Sequence, residues 1–424
     1  MKKLLSLLMM AGVMASMISC SEDDGGSTDG DGDVTENVVK AGLISASETW
    51  SSDKIYELKG RVIVPSGVTL TIEAGTVVKG AEGQGSLASA LIIAQGGKIM
   101  AEGTADEPII FTSVLDEITV GGEYVGNLAK EVNETWGGLM VLGKAPISAK
   151  AGDDVSTIEG LPADEDYSAY GGSDAADNSG VIKYVSIRHG GITIGADNEI
   201  NGLTLGGVGT GTTIENVEIY ATLDDGIEFF GGTVNVKNAL ITWQGDDGVD
   251  IDQNYSGTVD NFVVYHGEGV ETDEGLEIDG PENTLSDGKF TLKNGTLMSD
   301  GIEGSAADLK SDAQGTITNV VFKGYATGKG VLKIEGEYDA NCDVSDDTDA
   351  RGNFISGELA VSASTAEGVK LYSKQDDDKN PICASLPTAD VDAVVAEFTS
   401  DATATGADTS VFGWTVTVKS GMTL

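Results

Sequence analysis

Apolar and polar positions alternate in short runs from residue 62 onward, and Gly interrupts them. Val62, Val64, Val68, Leu70 and Ile72 fall on either side of a Pro65-Ser66-Gly67 turn. Leu91-Ile92-Ile93-Ala94, Lys98-Ile99-Met100-Ala101 and Ile109-Ile110-Phe111-Thr112 follow, with Gly96-Gly97 between the first two. None of these runs has helical spacing, so each predicts a short strand. The pattern is most regular over 200–264. Asp224-Asp225-Gly226-Ile227-Glu228-Phe229 returns 22 residues on as Asp246-Asp247-Gly248-Val249-Asp250-Ile251, with the alternating run Thr233-Val234-Asn235-Val236-Lys237-Asn238 between them. A fixed period of this length, built from strands and Gly turns, predicts stacked coils of an all-β parallel β-helix.

Some stretches depart from the pattern. Residues 115–135 are polar and 151–179 are acidic and irregular, so both read as loop insertions, with strands resuming at 136–142 and 181–187. Later coils are expected at 295–298, 315–322 and 330–334, with a loop over 337–353. Val391, Val394, Val395 and Phe398 have helical spacing, and Thr415-Val416-Thr417-Val418 alternates as a strand. These two elements are expected to form a cap from about residue 385, because an open solenoid end exposes unpaired strand edges.

Charge narrows the partners. The 424 residues carry 69 acidic against 25 basic side chains, a formal net charge of −44. Such a surface repels phosphates, so nucleic acid and anionic lipid headgroups are excluded as partners of the folded domain. With only two His and no Cys-x-x-Cys, a multi-His metal centre and a zinc ribbon are excluded as well. No Gly-x-Ser-x-Gly, P-loop or dinucleotide fingerprint is present among the 59 Gly. Cys342 and Cys383 admit either a disulfide or two free thiols.

The N-terminus reads as an address. Lys2-Lys3 precedes an apolar run over 4–17, and Ile18-Ser19-Cys20 places small residues at a cleavage site. Residues 1–19 are therefore expected to be a signal peptide. Cys20 resembles the lipidated residue of a bacterial lipobox, which implies acyl chains on Cys20 and stable anchoring in a membrane. Ser21-Glu22-Asp23-Asp24 resembles the surface-export signal of Bacteroidota lipoproteins. Gly, Ser and Asp fill 25–33, so residues 20–37 are expected to be a flexible acidic tether and 38–424 the β-helix domain.

Further motifs carry a family resemblance. They are Thr135-Trp136-Gly137-Gly138-Leu139, Leu142-Gly143-Lys144-Ala145-Pro146, Tyr170-Gly171-Gly172, Asn198-Glu199-Ile200-Asn201-Gly202-Leu203-Thr204-Leu205 and Asp224-Asp225-Gly226-Ile227-Glu228-Phe229-Phe230-Gly231-Gly232-Thr233. Over 41–265 the chain resembles a family of right-handed β-helix surface lipoproteins frequent in Bacteroidota, and the match weakens past Glu282. The resemblance implies the right-handed, pectin-lyase-like fold and an outer-membrane, cell-surface location. It brings no catalytic residues.

Chemistry centres on the repeated acidic motif. Neighbouring coils lie about 4.8 Å apart, so Asp224 is expected near Asp246, Asp225 near Asp247 and Glu228 near Asp250. Three readings compete. The carboxylates could satisfy backbone N–H groups at turns. With Asp252, the carboxylates Asp224, Asp225, Asp246, Asp247 and Asp250 could form a calcium site, calcium being the one cofactor the sequence suggests. Third, the order Asp225, Asp246, Asp247, His266, Lys333 is similar to that of β-helix polygalacturonases, inverting glycoside hydrolases. Leu223-Asp224, Gly248 and Val331 depart from that family's pattern. His189 and His266 are expected as hydrogen-bonded turn residues. Trp50, Trp136, Trp243 and Trp414 offer sugar-stacking platforms only if exposed. The leading expectation is a non-enzymatic binding or adhesion scaffold for a glycan or nutrient, beside an outer-membrane uptake protein. The alternative is a polysaccharide-degrading enzyme.

Overall fold

The computed structural model describes residues 37–424, apart from 153, 196–197 and 302–303. The leader, Cys20 and the tether up to residue 36 lie outside the described residues.

Two sets of parallel strands wind into a right-handed β-helix. The first set is short: Ala90–Ile93, Leu139–Leu142, Leu203–Gly206, Ile227–Phe230, Val249–Asp252, Glu274–Ile278, Ser305–Leu309, Leu332–Gly336 and Val369–Ser373, each paired with the next. The second set is longer: Gly180–Arg188, Thr213–Tyr220, Asn235–Thr242, Thr258–His266, Phe290–Ser299 and Gly315–Lys323. Each long strand turns a corner at a residue with positive φ: Tyr184, Asn216, Asn238, Asn261, Asn294 and Asn319. Asn tolerates the left-handed region better than most side chains, so the corner gives every coil a third wall. The corner amides stack as well. Asn238 donates to Asn216 at 2.9 Å, Asn261 to Asn238 at 2.8 Å and Asn319 to Asn294 at 2.8 Å.

The 22-residue offset is the register between Ile227 and Val249 and between Thr213 and Asn235. Later coils lengthen in their loops: Val249 pairs with Leu276 and Leu276 with Ala307. Inward positions stack as Leu203, Ile227, Val249, Leu276, Ala307 and Leu332, all fully buried. Burying a Leu, Ile or Val contributes about 1.5–3 kcal/mol, so this column holds the coils in register. The outward face of the short strands begins apolar. Ile63, Ile92, Met140 and Leu142 pack under Ile147, Ile158, Leu161 and Tyr170 of the insertion after residue 142. The insertion at 115–135 also packs back on the barrel, since Val132 O receives His189 Nδ1 at 2.6 Å.

The C-terminal region corrects two expectations. Starting inside the stretch read as a loop and running past its end, Ala350–Ser356 forms a helix, α1, whose first turn donates Gly352 N–H to Asp349. The helix expected from residue 390 is Thr388–Ala396, α2, which packs with α1 against the last coils and buries Val394 and Phe354. The strand expected at 415–418 is instead a single helical turn, Val416–Lys419, α3. It lies on the side wall rather than at the open end. Residues 400–424 run back along the long strands, with Asp408 N–H on Asn261 Oδ1 at 2.6 Å and Phe412 buried beside Leu240 and Val263. The Glu218 carboxylate is fully buried and takes the Val416 and Thr417 N–H groups at 3.0 and 2.9 Å. No strand edge is open there, and a buried carboxylate needs donors. The free amides of a helical first turn supply them.

Candidate functional site

Period-two alternation that sends Ile227 and Phe229 inward sends Glu228 outward. Parallel register then stacks each outward residue on its neighbours. One outward column reads Ile92, Met140, Thr204, Glu228, Asp250, Glu277, Asp308, Lys333. The column beside it reads Asn201, Asp225, Asp247, Glu274, Ser305, joined by bonds from Gly202 N to Asp225 O, Gly226 N to Asp247 O and Gly248 N to Glu274 O. On the other side, Phe230 and Asp252 are followed by Asp279 and Lys310. The sheet thus changes from an apolar face to an acidic one, and lysines close it.

The carboxylates converge in three groups whose ligand atoms lie within 4.8 Å of one another: Asp224, Asp225 and Asp246; Asp225, Glu228 and Asp250; Asp247, Glu274 and Glu277. Part of this packing is structural. Asp225 Oδ1 accepts the Asp247 N–H at 2.9 Å, and Asp247 Oδ1 accepts the Glu274 N–H at 2.6 Å, so each carboxylate caps the next coil. The turn-satisfying reading and the clustering reading therefore describe the same side chains. Within these groups and beside them, Asp250 Oδ1 and Asn201 Oδ1 are buried and have no partner among the described residues. Asn201 faces the second group, since its Nδ2 donates to Glu228.

Burial is the main cause that raises these carboxyls, and like charge adds to it. Asp224 is pushed up to about 7, with Asp246, Glu199 and Glu159 repelling its charge. Asp246 is raised to about 6 by partial desolvation and by Glu277 and Glu274. Asp225, Glu228, Asp247, Asp250 and Asp252 are all held well above the usual carboxylate range by burial first and by neighbouring carboxylates second. The insertion contributes Glu159 to this repulsion, and the hairpin before Ile200 contributes Glu199.

A family model for the pectate-lyase-like β-helix domain matches residues 42–418. The chain belongs to the pectate-lyase-like β-helix domain family. No curated protein and no solved structure matches the chain. The match covers the C-terminal coils, where the motif resemblance had weakened.

In this pectate-lyase-like β-helix, the six predicted Asp residues share one face. Lys333 joins them, donating to Glu274 and lying 2.9 Å from Asp308 Oδ2. His266 departs from its expected hydrogen-bonded turn role. It is 1% exposed, stacks edge-on with Tyr325 at 5.6 Å, and neither ring nitrogen has a partner. Burial lowers it to about 4, so the ring is neutral. All four Trp are buried, so none offers a sugar platform. Cys342 and Cys383 are joined, with S–S 2.09 Å, tying the loop before α1 to the segment before α2. Sequence spacing missed Asn201, Asp308 and Lys310. The first lies before the 22-residue repeat, and the others follow longer coils. A column of outward residues becomes visible only when loop lengths are known.

Proposed function

We propose that this β-helix is a non-enzymatic binding scaffold whose acidic face takes cations, calcium first, and through them a glycan. We further propose that lipid on Cys20 holds it at the outer face of an outer membrane, beside an uptake protein. One observation carries the cation reading. Asp225, Glu228 and Asp250 converge under burial with Asp250 Oδ1 and Asn201 Oδ1 unpartnered. Hard cations take clustered carboxylate and amide oxygens, and a bound cation would relieve the repulsion that raises these groups. Support for the location comes from the leader, Cys20 and the acidic tether.

The hydrolase alternative draws less support from the same geometry. An inverting pair needs about 6.5–9.5 Å between carboxyls for the attacking water, whereas the Asp225 and Asp246 oxygens come within 4.8 Å. His266 is sealed under Tyr325, and Lys333 is held by Glu274 and Asp308.

The test is a thermal melt of residues 35–424, one compact unit by itself, in EGTA and in millimolar calcium. Calcium at 100 times its Kd should add about 2.7 kcal/mol of stability, and Glu228→Gln with Asp250→Asn should abolish the gain. A calcium response that survives this double substitution, or no response at all, would refute the assignment. Cys20→Ser in the full chain should release the protein from the membrane fraction.

A further inference from the structure

The ladder holds an example of the group it is built to receive. Lys310 follows Asp279 in its outward column, and its ammonium reaches back one coil. The Nζ lies 2.7 Å from Glu277 Oε1 and 3.2 Å from Asp279 Oδ2. Glu277 and Asp279 are two residues apart, so both side chains leave one face of the sheet. Asp250 and Asp252 are the same pair one coil earlier. Asp250 is in register with Glu277, and the Asp279 N–H on Ile251 O sets Asp279 beside Asp252. The column position that supplies Lys310 to the later pair supplies Asp279, another carboxylate, to the earlier one. Lys150, also at this cleft, pairs with Glu282 at 3.2 Å. Asp250 is 7% exposed, and its Oδ1 accepts no hydrogen bond. An open cleft of about 570 Å³ reaches both carboxylates, with Glu277, Asp279 and Glu282 on its walls.

We propose that Asp250 and Asp252 form a binding site for a primary ammonium carried by an external ligand, an amino sugar or a polyamine, which occupies this rung as Lys310 occupies the next. The proposal rests on the reading of the face as cation-binding and narrows the ligand to an alkylammonium. An ammonium presents three N–H donors, and carboxylates on adjacent columns accept them as charge-assisted bonds. Rungs repeat about every 4.8 Å, so a ligand with several ammonium groups could span more than one rung and gain by avidity.

Calorimetry in EGTA with three probes tests this: a glucosamine oligomer, the same oligomer N-acetylated, and spermidine. The glucosamine oligomer or spermidine should bind, and the tighter of the two names the ligand class. The N-acetylated oligomer keeps the ring but lacks the ammonium, and it should not bind. Asp250→Asn with Asp252→Asn removes 2 of 69 acidic side chains. General attraction to a polyacid would survive that change within twofold, whereas the proposed site should lose tenfold or more. Lys310→Met frees Glu277 and Asp279 and should tighten the favoured probe several-fold, in protein whose melting confirms that it is folded. Equal binding of the N-acetylated oligomer, or unchanged affinity in both variants, would overturn the proposal. If calcium stabilises the protein and neither ammonium probe binds, the ammonium site falls while the cation reading stands. If neither calcium nor ammonium binds, both fall.

Discussion

Two regions of one ladder handle the same problem in opposite ways. In the earlier coils no ion pair among the described residues reaches Asp224, Asp225, Glu228, Asp246 or Asp250, and all five groups are raised. In the coils that follow, Lys310 holds Glu277 and Asp279, and Lys333 holds Glu274 and Asp308. Glu274 is lowered there despite its burial, because bonds from Asp273, Lys333 and Ser305 outweigh desolvation. The backbone is the same parallel ladder in both regions. A β-helix stacks like positions whatever their charge, so each column must find its own counter-charge. The later coils carry it in the chain, and the earlier coils leave it to protons or to a ligand.

Removing the built-in charge should have the largest effect. Lys333→Met leaves Glu274, 3% exposed, and Asp308 without their cation. Breaking a buried pair in this way costs about 3 kcal/mol or more. Urea unfolding at pH 7 measures it, and a loss below about 1 kcal/mol, the scale of a surface pair, would show that the two regions do not differ in kind.

Acid should separate the regions next. Asp224 at about 7 and Asp246 at about 6 bind protons more tightly folded than unfolded. Between the unfolded value of about 3.9 and those values the native state holds more protons, so stability falls as pH rises. The unfolding free energy from urea titration at pH 5.5 should therefore exceed that at pH 7.5 by about 1 kcal/mol, less than the full shifts because Asp246 is exposed and screened. The lowered Glu274 acts in the other direction. Its contribution is present above about 4.3, the unfolded value, and is lost as pH falls through its folded value. The profile should therefore peak between the two windows, and a monotonic profile would erase the contrast.

The smallest change is a single neutralisation in the unpaired region. Asp225→Asn keeps the oxygen that accepts the Asp247 N–H and removes one repelling charge. At pH 7.5 without calcium it should raise stability by up to about 1 kcal/mol, and calcium should then add less than it adds to the parent. A destabilised Asp225→Asn protein would mean that the carboxylate charge is satisfied in a way its neighbours do not reveal.

The six clustered Asp were legible in the sequence because Asp224-Asp225-Gly226 and Asp246-Asp247-Gly248 fall on the one coil whose loops add nothing to the period. Asp308 and Lys310 were not legible as ladder members, since the coils before them are longer and no fixed offset reaches them. His266 misled for a related reason. At a strand end next to Gly it was expected to hydrogen-bond in a turn, but Tyr325, two coils on, packs edge-on against its ring. The strand expected at 415–418 failed because alternation reports only that two faces differ, and α3 meets that condition against Glu218.

By itself the sequence determined the coil. Period-two runs and Gly turns admit few other folds, and the apolar inward column follows from hydrophobicity alone. Counter-charge was decided only in the tertiary structure. Which carboxylate meets a lysine depends on loop lengths summed over many coils, because a salt bridge between residues such as Glu274 and Lys333 is local in space and remote in the chain.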